Sequence, residues 1–132
     1  MQITQPLHAA LLVSDLKSAE HFYGSILGLA KIERSLRFPG AWYQIGEFQV
    51  HLIAALEGEN PLQNPEKLGR NRHIAFAVAD LAAAKAHLTK HGIEVQMSAS
   101  GRAALFAQDP DGNVIELTEL SHARLPSLSP TD

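Results

Sequence analysis

The chain has 132 residues, of which 45% are hydrophobic and 19% charged, a balance that excludes an intrinsically disordered protein and suits one compact domain. Eleven Lys and Arg against 14 Asp and Glu leave a formal charge of -3 with no basic cluster, which argues against nucleic acid or an anionic membrane as partner. Cysteine is absent and histidine occurs seven times, so there is no disulfide, thiolate metal site or cysteine nucleophile, and any transition metal must be held by imidazole and carboxylate.

From the N-terminus, Met1 to Pro6 carries no basic residue ahead of the short apolar run Leu7–Val13, and does not read as a secretory signal. No apolar run approaches the roughly 20 residues that span a bilayer. A cytoplasmic protein is expected. Leu7–Val13 has strand length and ends at Asp15, whose carboxylate can cap a helix. Leu16, Ala19, Tyr23, Ile26 and Leu27 then recur near the helical period, and Gly28 stands where that helix should stop. Strands are expected at Ala30–Ser35, Ala41–Ile45 and Phe48–Ala54, the last two joined by a tight turn at Gly46-Glu47.

Residues 57–71, rich in Pro, Asn, Gly and charge, read as a linker between a first module, 1–56, and a second, 72–120. The second module repeats the order. A strand at His73–Val78 leads through Asp80 into a helix bearing Leu81, Ala84 and Leu88 and stopping near Gly92. Strands follow at Ile93–Ser98, Arg102–Gln108 and Asn113–Glu119, with Asp109-Pro110-Asp111-Gly112 as the last turn. Residues 121–132, with two prolines and three serines, are expected to form a loose tail.

The two halves are copies. A shift of 65 residues lays His8, Ala10, Val13, Asp15, Leu16 and Ala19 over His73, Ala75, Val78, Asp80, Leu81 and Ala84, and the same ungapped shift puts His51 on Glu116 and Leu52 on Leu117. Each copy is thus a βαβββ unit. Strand residues two apart share a face, and both faces of the first strand are largely apolar, so one side is expected under a helix and the other in a shielded cavity. The same parity assigns to the cavity His8, Ala10, Leu12, Gln49, His51, Ile53, His73, Ala75, Ala77, Val114, Glu116 and Thr118.

Copies related by a pseudo-twofold axis bring equivalent positions together near that axis. Three imidazoles and a carboxylate there suit one divalent Zn, Fe(II), Ni, Co or Mn ion. Singly, each of these histidines can equally be a satisfied, half-buried residue. Together with Glu116 they read as metal ligands, because a buried carboxylate is seldom tolerated without a partner. His21, His87, His91 and His122 fall outside the repeat pattern and are taken as structural.

These residues resemble the vicinal oxygen chelate superfamily, which includes glyoxalase I, extradiol dioxygenases, methylmalonyl-CoA epimerase and bleomycin- and fosfomycin-resistance proteins. The resemblance rests on Leu7-His8 through Asp15-Leu16, Phe22-Tyr23, Leu27-Gly28-Leu29, Arg72-His73-Ile74-Ala75-Phe76 and Asp109-Pro110-Asp111-Gly112 through Glu116-Leu117. It implies an α+β fold in which two paired βαβββ modules form a cupped, eight-stranded mixed sheet with the helices outside. It further implies a divalent metal on His8, His51, His73 and Glu116 that chelates two adjacent substrate oxygens and stabilises an enolate-like anion. Many members are dimers, so a homodimer acting on a small molecule is expected.

The departures narrow the reaction. Bacterial glyoxalase I usually carries Glu where this chain has His51, and the change removes a negative charge and one base. Leu12 and Ala55 stand where glyoxalase I tends to place an Arg and an Asn for glutathione, which argues against that carrier. An extradiol dioxygenase would show a Tyr near Phe106 and a His between Gly92 and Glu116; both are missing. The leading expectation is therefore a lyase or isomerase of glyoxalase I type, acting on a small dicarbonyl or hydroxy-carbonyl compound, with Glu116 or His51 as general base. Trp42, Tyr43 and Phe106 are expected to line the substrate pocket and Arg102 to meet an anionic group. An Fe(II) dioxygenase and a metal-free sequestering protein of bleomycin-resistance type are the alternatives.

Overall fold

A computed structural model of the chain describes residues 1–35, 37–55 and 62–120. The expected tail at 121–132, including His122, and the first part of the expected linker, 57–61, lie outside the described residues. The chain divides into two compact units, Met1–Gln63 with Gln108–Asn113, and Asn64–Ala107 with Val114–Asp132.

The first unit holds β1 (His8–Val13), α1 (Leu16–Glu20) continuing as a π-helix over His21–Ile26, β2 (Ala30–Ile32), β3 (Gly40–Ile45) and β4 (Phe48–Ala54). These strands form a four-stranded sheet in the order β1-β4-β3-β2. β1 and β4 run parallel, which the intervening helix permits, whereas the short turn at Gly46-Glu47 makes β3 and β4 antiparallel. In the second unit β5 (His73–Val78), α2 (Leu81–Lys90), β6 (Gln96–Met97), β7 (Ala104–Gln108) and β8 (Val114–Glu119) repeat this as a sheet ordered β5-β8-β7-β6. The eight expected strands are present as two mixed sheets of four.

The helix-facing side of each sheet is the core. Val13, Val50, Leu52, Ala41 and Tyr43 pack with Ala19, Phe22, Tyr23 and Ile26 in the first unit, and Ile115, Leu117 and Leu105 with Leu88 in the second. The two helices start and stop differently. Asp80 caps α2 as expected, accepting from the Ala83 amide at 3.0 Å. The carboxylate of Asp15 makes no such cap and takes the Ser18 hydroxyl instead. The α2 end closes on Gly92 at φ +76°, with Ile93 N–H donating to Leu88 O and Gly92 N–H to Thr89 O, the pattern of a glycine-terminated helix. In the first unit Leu27 N–H bonds to Phe22 O, five residues back, and Leu29 N–H to Tyr23 O, six back, and the five-residue spacing is that of the π-helix over His21–Ile26.

Two sequence expectations are corrected. The strand expected at Ile93–Ser98 is only Gln96–Met97, because the Gln96 side chain turns to the linker, accepting from Leu68 N–H and donating to Glu66 O. The strand expected from Arg102 begins at Ala104, since Ala104 N–H bonds back to Arg102 O and bends the chain there. The described part of the linker, 62–71, has local structure of its own. It contains a 3-10 turn at Leu68–Arg70, with Asn71 Nδ2 donating to the carbonyls of Asn64, Lys67 and Leu68.

The Asp109–Asn113 turn is held within the first unit. Asp109 is buried and accepts from Tyr23 Oη at 2.7 Å, from Asn113 Nδ2 and from the amides of Asp111 and Asn113. Ser14 N–H donates to Asp111, and Asn113 Nδ2 donates to Leu12 O. Burial, reinforced by the Asp109 carboxylate, raises the Tyr23 phenol far above its ordinary pKa.

Candidate functional site

Pairing registers place the expected cavity residues on one face of each parallel pair. His8 stands beside Gln49, Ala10 beside His51 and Leu12 beside Ile53; likewise His73 stands beside Val114, Ala75 beside Glu116 and Ala77 beside Thr118. In a parallel ladder neighbours in register point to the same side, so the period-2 reading carries over directly. Trp42 pairs with His51 and joins that face.

Tyr43 does not. It pairs with Val50 on the helix side, is fully buried, and its ring lies 3.4 Å from where a Cβ on Gly24 would stand. The expectation that Tyr43 lines a substrate pocket is therefore corrected: it is core, and burial pushes its phenol up to about 12.

In the first unit the site is a stack of planar groups. His51 is buried and lies face to face with Trp42, centroids 3.8 Å apart and planes 1° apart; on its other face is His8, at 4.1 Å and 13°. The Arg34 guanidinium lies over Trp42 at 4.3 Å. The Trp42 indole N–H is buried with no hydrogen-bond partner among the described residues. Burial, then the His8 ring and Arg34, hold His51 below the ordinary imidazole pKa, so the ring is neutral near pH 7. Its Nε2 faces Gln49 Oε1 at 2.8 Å.

The second unit pairs His73 with Glu116. His73 Nδ1 donates to Asn71 O at 2.7 Å, and a carbonyl can only accept, so Nδ1 carries a hydrogen and Nε2 is the ring nitrogen turned to Glu116. Nε2 faces Glu116 Oε1 at 3.2 Å. The carboxylate is buried; its Oε2 accepts from Thr118 Oγ1 at 2.6 Å and lies 3.7 Å from an Arg102 guanidinium nitrogen. Phe106 meets His73 edge to face at 5.7 Å and rests on Gly69. Arg102 thus stands beside Glu116, but from the bend before β7 rather than from a strand.

Nε2 and Oε1 are both electron-rich and face each other favourably only through a shared positive species, a proton on Nε2 or a metal ion. Two ligands about 2.1 Å from one ion stand about 3.0 Å apart in octahedral geometry and about 3.4 Å in tetrahedral geometry. The 3.2 Å between Nε2 and Oε1 falls in that interval. The donor chemistry of this pair, with a backbone carbonyl on the distal imidazole nitrogen and a hydroxyl on the distal carboxylate oxygen, fits a divalent metal. In the other pair the stacked rings of His8 and His51 keep their in-plane lone pairs nearly parallel, so holding both on one ion requires the exposed His8 to turn out of the stack. Among the described residues no three His, Cys, Asp or Glu side chains form a metal-holding group, and the four expected ligands stand as one pair in each unit.

Comparison with known proteins adds the family. The sequence model of the glyoxalase/bleomycin resistance protein/dioxygenase superfamily matches residues 5–117. The chain belongs to this superfamily. The uncharacterised Escherichia coli protein YaeR is 31% identical over 127 residues, spanning 89% of this chain and 97% of YaeR. Human mitochondrial methylmalonyl-CoA epimerase is 28% identical, over 85% of this chain and 72% of the epimerase. Among solved structures, a Bacillus anthracis protein assigned to the glyoxalase family superposes with a TM-score of 0.74 at 25% identity, over 90% of this chain and 97% of that one. The proteins that this chain resembles include an epimerase in sequence and, in fold, a lactoylglutathione lyase and an antibiotic-binding protein, so membership does not itself choose a reaction.

Sequence reasoning missed the residues that orient the candidate ligands. Gln44, Asn71 and Arg34 lie outside the repeat pattern, and each acts through a backbone carbonyl, an amide or a ring face that no spacing reveals. Thr118 and Gln49 were assigned to the cavity face by strand parity, each two residues from a candidate ligand, but their hydrogen bonds to those ligands were not foreseen.

Proposed function

We propose that the chain is a divalent-metal enzyme of glyoxalase type that moves a proton between adjacent carbons of a small dicarbonyl or hydroxy-carbonyl compound. The observation that carries this reading is the His73–Glu116 pair, with the tautomer fixed by Asn71 O and the two donor atoms at the separation of neighbouring ligands on one ion. His8, His51, His73 and Glu116 would hold the metal, one of Ni, Zn, Co, Mn or Fe(II). When bound, the ion acts as a Lewis acid on the substrate's adjacent oxygens.

The chain's own residues do the rest. Glu116 serves as general base through its carboxylate, which Thr118 keeps oriented by its hydrogen bond. His51, neutral near pH 7, is the second group able to take a proton. Trp42 and Phe106 present apolar ring surface beside the ligand pairs, and Arg102 brings a positive charge to the Glu116 side. In this reading the chain works as a homodimer on a small molecule, consistent with the strand faces of His8-Ala10-Leu12 and His73-Ala75-Ala77, where alternate residues are exposed.

Metal analysis of untagged protein tests the first step. Metal is expected near one ion per chain after reconstitution, and the reading fails if no divalent ion of the set binds. Solvent-deuterium exchange into a panel of hydroxy-carbonyl and dicarbonyl compounds, with and without glutathione, tests the second. Exchange without oxygen consumption supports the proposal, whereas oxygen uptake with catechols would assign the chain to the dioxygenases.

A further inference from the structure

The stack at His51 rests on a chain of side-chain amides whose polarity can be read without ambiguity. Gln44 Nε2 lies 2.7 Å from Gly46 O and 3.4 Å from Phe48 O. Both partners are backbone carbonyls, which only accept, so the Gln44 terminal group facing them must be the NH2. Its Oε1 therefore faces Gln49 at 2.8 Å, and the Gln49 group that meets it must be the donating NH2. That leaves Gln49 Oε1 facing His51 Nε2 at 2.8 Å. An amide oxygen accepts only, so Nε2 must carry the hydrogen. Reversing any one amide would set oxygen against oxygen or NH2 against N–H along the whole line.

We propose that Gln44 and Gln49 are positioning residues that lock His51 as the Nε2–H tautomer and present Nδ1 as its electron-pair donor. His51 and His73 then offer opposite nitrogens, since the Nδ1 of His73 holds its hydrogen against Asn71 O and leaves Nε2 as the nitrogen that can donate a lone pair. The sequence repeat relates His51 to Glu116 rather than to another histidine, so the first unit needs its own device for fixing an imidazole. The hairpin supplies it. The Gly46 carbonyl belongs to the tight turn joining β3 to β4, and through two glutamines the turn's backbone sets the proton position on a ring that it does not touch.

That Nδ1 serves a metal rests on the function proposed above; the tautomer itself does not. Long-range 1H–15N correlation spectra of metal-free, 15N-labelled protein at about pH 8, above the ordinary imidazole pKa, read it directly. The His51 signals are assigned with a His51→Asn variant. His51 should show a protonated, pyrrole-type Nε2 and a bare, pyridine-type Nδ1. Gln49→Met and Gln44→Met should move both nitrogens toward the averaged values of a tautomer mixture. A bare Nε2 in the wild type overturns the proposal, as do ring shifts that stay fixed in both methionine variants. Added Zn(II) should then shift Nδ1, and its affinity should fall about 10- to 100-fold in the methionine variants. A zinc-induced shift at Nε2 refutes the donor assignment. Failure of zinc to bind the wild type, with the tautomer as stated, sinks the metalloenzyme reading and leaves the positioning role standing.

Discussion

Thr118→Val isolates the support of the Glu116 carboxylate from the carboxylate itself. Thr118 Oγ1 donates to Glu116 Oε2 at 2.6 Å, while the other oxygen, Oε1, faces His73. Valine has nearly the same shape and is equally suited to a strand, so β8 and its pairing with Ala77 should persist. What is lost is one hydrogen bond to a charged group, worth about 1.5–3 kcal/mol. If that bond holds the carboxylate ready for a metal, the same energy appears in metal affinity, a loss of roughly 10- to 150-fold at 1.4 kcal/mol per decade. Calorimetric titration with Zn(II) or Co(II) measures it, and Thr118→Ser, which restores the hydroxyl, should recover most of the affinity. A Thr118→Val protein that folds normally and binds metal as tightly as the wild type would refute the reasoning, because Glu116 would then not be a ligand held by this bond.

Two further outcomes follow from the packing of the units. Tyr23→Phe removes a buried bond to the Asp109 carboxylate and should cost about 1.5–3 kcal/mol in urea unfolding. The raised phenol pKa of Tyr23 adds a pH signature. Its stabilising share is complete below the unfolded value of about 10 and is lost as pH rises above it, so wild-type stability should drop steeply in alkali and the variant should drop less. Equal alkaline slopes for the two proteins would contradict this account. Gly69→Ala would bring a Cβ to 2.6 Å from the Phe106 ring, forcing that ring off its place against His73. A cost of about 1–3 kcal/mol is expected from such overpacking, and a urea midpoint equal to wild type would show that the ring shifts freely.

Much of the fold was legible because it is periodic. The strand alternation in His8–Val13 and His73–Val78 and the 65-residue shift between them locate the faces that carry His8, His51, His73 and Glu116, and the pairing registers agree. Strand ends were less legible. Arg102 lies in a bend and Gln96–Met97 is a remnant of the strand expected there, because side-chain and turn bonds to distant residues compete with the ladder. Tyr43 looked like its neighbour Trp42 in composition, yet one step along a strand moved it to the opposite face.

The sequence by itself therefore determined the family, the βαβββ repeat, the cysteine-free nitrogen and oxygen donor set, and the strand face on which each candidate ligand sits. These follow from spacing and residue type, which are local properties of the chain. Only the tertiary structure decided which ring nitrogen of His51 meets Gln49 and which of His73 meets Asn71, that His51 lies sandwiched between Trp42 and His8, and that the Asp109 turn closes on Tyr23 in the first unit. Those outcomes depend on where a hydrogen-bond acceptor or a ring face arrives from another part of the fold. A carbonyl at Gly46 or Asn71 carries no mark in the sequence of the proton it will accept or the ring it will orient.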